Sequence, residues 1–126
     1  MSAEPRILGR IHDGFLGGIH TDPGVNRVTL SIRRTDGSHC AVVFKGVVRF
    51  RCDSFLEGNI VLSLVEEVPN DLAGWLQSRF GEYAPGLEEV RDAIMTRRLH
   101  CYSLTSSYGA DASCIASQIE FRDEQA

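Results

Sequence analysis

Lysine is almost missing from this chain: Lys45 stands alone beside twelve arginines, and seventeen acidic residues bring the net charge to −4 over 126 residues. Without a basic excess there is no global field to draw in nucleic acid or an anionic membrane surface, so nucleic acid is a poor fit as a partner. Long apolar runs are missing as well. No stretch approaches the roughly 18 residues of a membrane span, and Met1 is followed by Ser-Ala-Glu-Pro-Arg rather than the apolar core of a signal peptide. The expectation is a soluble, cytoplasmic protein with no membrane partner. The four cysteines, Cys40, Cys52, Cys101 and Cys114, include no CxxC pair, which excludes the usual zinc and dithiol motifs. They read as reduced thiols filling space in a core. There is no GxSxG, HExxH, P-loop or dinucleotide fingerprint, so no catalytic constellation and no cofactor is implied.

What is present is enough apolar material, 43% of residues, to build one domain over residues 1–126. Residues 27–34 alternate strictly, with Val28, Leu30 and Ile32 on one side and Arg27, Thr29, Ser31 and Arg33 on the other. That period of two is a half-buried strand. A turn at 35–38 leads to strands over 39–45 and 47–52, with Cys40, Val42, Phe44, Val48, Phe50 and Cys52 inward. A further strand over 60–68 stops at Pro69. Leu72, Trp75, Leu76 and Phe80 then fall at helical spacing, with Asn70 as the N-cap and Gly81 just past the end. A second helix over 87–98 carries Glu88 and Glu89 at its start and Arg97 and Arg98 at its end. Strands over 99–108 and 112–121 follow, and the tail from Arg122 should fray. The expected fold class is α+β: an antiparallel meander, with two helices inserted before the last two strands and packed on one face. A flattened sandwich or partly open barrel is the alternative.

Three places could carry function. His12, Asp13, His20 and Asp22 have the chemistry of a metal or acid–base site. On one extended strand, however, 12 and 20 would lie about 26 Å apart, so they meet only if the glycines fold the chain back. Otherwise His12-Asp13 is a turn and Gly17-Gly18 a bulge. Arg27, Arg33, Arg49 and Arg51 alternate onto the solvent side of neighbouring strands, a face suited to an acidic partner, although no aromatic joins them there to stack bases. A hydroxyl-rich turn around Tyr108 and Gly109 could bind an anion through backbone N–H groups. All of the net acidity sits in residues 69–126, whereas residues 1–68 are balanced.

Taken together, RIHDGFLGGIHTD, the strand ending in Phe44-Lys45-Gly46-Val47, Asn59-Ile60 and Ser107-Tyr108-Gly109 resemble small bacterial single-domain families that open on a His-Asp motif, some of them immunity-protein-like. The resemblance implies a similar fold and transfers no catalytic residue. The leading expectation is a non-enzymatic module that holds a protein partner with a sheet face or its acidic helical half. The rival is a small metal- or ligand-binding protein, even a hydrolase, centred on His12, Asp13 and His20. An edge strand of the meander could pair with its symmetry mate to form a homodimer.

Overall fold

The computed structural model describes residues 6–8, 11, 13–53, 59–81, 87–106 and 111–124. Alternating sequence produces the strands: β1 (Arg6–Ile7), β2 (Phe15–Asp22), β3 (Arg27–Arg33), β4 (His39–Asp53), β5 (Asn59–Glu67), β6 (His100–Ser106) and β7 (Asp111–Glu124). Two helices, α1 (Leu72–Phe80) and α2 (Leu87–Met95), lie between β5 and β6.

The sheet expected to stay open closes on itself. Its wall runs β5-β2-β3-β4-β7-β6, and β6 returns to β5, making a six-stranded antiparallel barrel. An open meander packed against helices is therefore the wrong architecture. The physical reason lies in β5, which is paired along both edges. Leu64 and Val65 face Leu104 and Ser103 of β6. On the other edge β5 takes β1 near its end, Arg6 against Glu66, and β2 near its start, Phe15 against Ile60. Between those two contacts Leu8 N–H donates to Leu64 O at 2.8 Å and Asp13 N–H to Val61 O at 2.9 Å. Register shifts at Leu16/Gly18, Val47/Arg49 and Val61/Ser63 add the curvature that closure needs.

Segments read separately in sequence are single strands here. Residues 39–45 and 47–52 form one 15-residue strand that passes through Gly46 at φ 62°, so Cys40 and Cys52 sit on the same strand. Val48, expected inward, is 37% exposed, because the register shift between Val47 and Arg49 turns Val47 to the core instead. Arg122 and Asp123, expected to fray, pair with Ala41 and Cys40. The TDGS turn forms as expected, Gly37 N–H donating to Arg34 O at 3.0 Å.

Inward residues fill the barrel. Leu16, Leu30, Val42 and Val61 are fully buried, and Phe44 stacks tilted on Tyr102 at 5.3 Å. The interstice between Leu30, Phe44, Phe50, Leu64 and Tyr102 has no room for a water molecule. Small inward residues on β7, Ala112, Cys114 and Ala116, make room for those rings.

A second cluster forms outside the wall. Leu76, Val90 and Ile94 pack on Cys101 and Ile115, with Leu72, Trp75 and Phe80 around them. Burying each large side chain stabilises by about 1.5–3 kcal/mol, and that layer is what holds the helices. The α1 N-cap is Asp71, not Asn70; its Oδ1 accepts from Gly74 N–H at 3.0 Å. At the far end Gly81 N–H donates to Gln77 O at 2.9 Å. Helix α2 ends at Met95, because Arg97 adopts φ 61°. Arg97 and Arg98 therefore lie beyond its last turn.

Gly46 is the position most sensitive to a side chain. Its φ is left-handed, and a Cβ there would overlap Ser117 Oγ. Gly46→Ala is expected to lower stability by about 1–3 kcal/mol. The midpoint of urea unfolding measures this; an unchanged midpoint would mean that β4 does not bend there.

Candidate functional site

Among the described residues, those singled out in sequence do not gather at one point. Asp13 sits in a turn at φ 64°, beside the crossing of the chain over β5. His20 and Asp22 lie farther out on β2, opposite Thr29 and Arg27, and both are exposed. Most of an extended strand separates Asp13 from His20, on the order of 20 Å. The Gly17-Gly18 stretch is the bulge of β2 against β3, not a fold-back. His12 and Tyr108 lie outside the described residues. Among the described residues no three His, Cys, Asp or Glu side chains are placed to hold a metal ion.

The arginines divide into separate places. Arg27 and Arg33 stand at opposite ends of β3, about 20 Å apart. Arg33 lies over the Phe15 ring at 5.0 Å, and the Arg27 Nε is buried without a hydrogen-bond partner. Arg49 and Arg51 belong to the part of β4 that continues past its pairing with β3, against Ile115 and Ser113 of β7. Arg49 Nη1 donates to Val48 O at 3.0 Å, and Arg51 Nε to Asp53 Oδ1 at 3.0 Å.

Two clefts that sequence reading missed flank α1. The first opens where β5 ends against α2. It encloses 220 Å³ and is lined by Glu66, Glu67, Val68, Leu72, Met95 and His100, among others. Alternation along β5 sends its two glutamates opposite ways. Glu66, across from Tyr102, turns to the barrel mouth, where Arg6 Nη2 lies 2.9 Å from Oε1 and His100 Nδ1 3.5 Å from Oε2. Glu67 turns outward beneath the helices. Its Oε2 accepts from Trp75 Nε1–H at 2.7 Å and from Ser103 Oγ–H at 3.0 Å. One carboxylate thus ties α1 to both β5 and β6. Cys101, at the floor, is not poised for nucleophilic work. Burial, then the charges of Glu67 and Glu66, push its thiol up to about 12, so it stays protonated. Burial likewise raises the Tyr102 phenol and the Cys114 thiol.

Exposed apolar side chains stand on the rim of this cleft beside the exposed Arg97: Met95 is 73% exposed and Val68 46%. Its volume falls below the 300–1,000 Å³ typical of small-molecule pockets. It suits one inserted side chain. A readable trace existed in the sequence, a Glu-Glu pair closing an apolar strand just before proline, but nothing there showed what would stand opposite.

The second cleft, 320 Å³, lies at the other end of α1, and its described lining is polar: Arg51, Asp53, Ser78, Arg79, Asp111 and Ser113. It forms only because β4 and β7 pair in the register that sets Arg51 against Ser113 and Asp53 against Asp111.

The Glu67 tie has a measurable consequence. Trp75→Phe keeps the ring packing and removes the indole donor, and hydrogen bonds to charged groups contribute about 1.5–3 kcal/mol. A loss of that size is expected in chemical denaturation; a change below about 0.5 kcal/mol would mean that the bond does not anchor α1. No family model, curated protein or solved structure matches this chain.

Proposed function

We propose that the protein is a non-enzymatic binding module that holds a protein partner at the cleft between the end of β5 and α2. The observation that carries this reading is the pair of large apolar side chains, Met95 and Val68, left in water on the rim of a 220 Å³ cleft. Exposed apolar surface with a polar border is the usual composition of a protein-binding patch. The partner presents an apolar side chain that anchors in the cleft. An immunity-like role, in which the partner is a toxin domain held inactive, accords with the resemblance of the His12-Asp13 and Ser107-Tyr108-Gly109 motifs. A cytoplasmic setting belongs to the same reading. No helix among the described residues is long and apolar enough to cross a membrane.

The test is capture from the native cell lysate with the wild-type chain and with Val68→Glu/Met95→Glu. Both positions are exposed, so the variant should melt with the wild type. The expected result is a stoichiometric partner retained by the wild type and lost by the variant. Recovery of no partner, or equal recovery by both, would refute the proposal.

A further inference from the structure

The polar cleft at the C-terminal end of α1 holds one positive and one negative side chain that line the same space without meeting. Arg51 and Asp53 are two residues apart on the outer face of β4 and satisfy each other, Nε to Oδ1 at 3.0 Å. Arg79 reaches down from α1. Its Nη1 donates to Ser113 Oγ at 3.5 Å, and its guanidinium carbon lies 5.9 Å from the centre of the Trp75 ring. Asp111 stands directly across the ladder from Asp53 and lines the same 320 Å³. Among the described residues no ion pair joins Arg79 to Asp111. Two carboxylates placed opposite each other across a ladder destabilise a sheet, and only one of these has an arginine.

The floor and wall add polar groups of the right kind. Ser113 is 5% exposed, and because its Oγ accepts from Arg79 its own O–H remains to donate. Ser78 Oγ donates to Trp75 O at 3.2 Å, which leaves its lone pairs to accept. Among the described residues, two arginines and two aspartates sum to no net charge. The cleft therefore favours neither an anion nor a cation but a molecule carrying one charge of each sign. Among the described residues no apolar side chain lines it, and its volume is at the lower end for a ligand pocket.

We propose that this cleft binds a small polar zwitterion of the α-amino-acid class. The carboxylate sits on the Arg79 guanidinium and the Ser113 hydroxyl, and the ammonium on the Asp111 carboxylate, with Ser78 Oγ as a further acceptor. The site is independent of the partner-binding cleft at the other end of α1.

Isothermal titration of the whole chain with L-serine and L-glutamine tests this, with L-leucine, acetate and methylammonium as comparisons. At least one of the two polar amino acids should bind, and acetate and methylammonium each about tenfold more weakly or worse. Asp111→Asn should weaken amino-acid binding by about tenfold or more while leaving acetate unchanged; Arg79→Gln should weaken both. Asp111→Asn also removes the like-charged pair, so its thermal midpoint should match or exceed the wild type, which separates lost binding from lost folding. The proposal is overturned if neither polar amino acid binds at millimolar concentration. It is equally overturned if acetate or L-leucine binds as well as they do, or if Asp111→Asn binds them undiminished.

Discussion

Hydrogen bonding along both edges of β5 is the constraint on which the rest of this structure depends. One edge takes β6 in a regular ladder; the other takes the N-terminal chain in two short contacts bridged by the Leu8 and Asp13 amides. Remove that seam and the wall opens, exposing strand edges whose N–H and C=O groups then need other partners. Keep it, and inward residues from all six strands converge on one filled interior. The long strands β4 and β7 pair with each other from His39 to Asp53, with one register shift between Val47 and Arg49.

Closure also decides where function can lie. With the interior filled, ligands and partners must use the outside or the mouth. The helices settle on the outer face of β6 and β7 because Cys101 and Ile115 offer an apolar patch there, and Glu67 fixes α1 in place through Trp75. A short helix laid over a curved wall leaves a gap at each end. One gap is bordered by the apolar rim of Val68 and Met95, the other by charges of both signs from β4, β7 and α1.

Much of the local structure was legible in the chain. The alternation of 27–34 gives β3, and the spacing of Leu72, Trp75, Leu76 and Phe80 gives the face of α1. Closure was not legible, because a strand in a barrel wall alternates in the same way as a strand in an open sheet. Gly46 reads as a break, yet its left-handed φ lets β4 bend and continue. Arg97 reads as the favourable end of a helix, yet its left-handed conformation puts it outside α2. For the sites, the outward direction of Arg49 and Arg51 follows from alternation. The meeting of Arg51, Arg79, Asp111 and Ser113 depends on a β4–β7 register that no local pattern encodes. Chemically attractive residues such as Asp13 and His20 were separated by the strand that joins them.

Amide hydrogen exchange at Leu8, Asp13 and Val61 tests the central claim most directly. These amides donate across the seam, to Leu64 O, Val61 O and Gly14 O. A closed barrel predicts protection at Val61 comparable to that of interior-strand amides such as Leu30 and Leu104. Exchange at the rate of an unpaired edge strand, with Leu30 and Leu104 still protected, would contradict it.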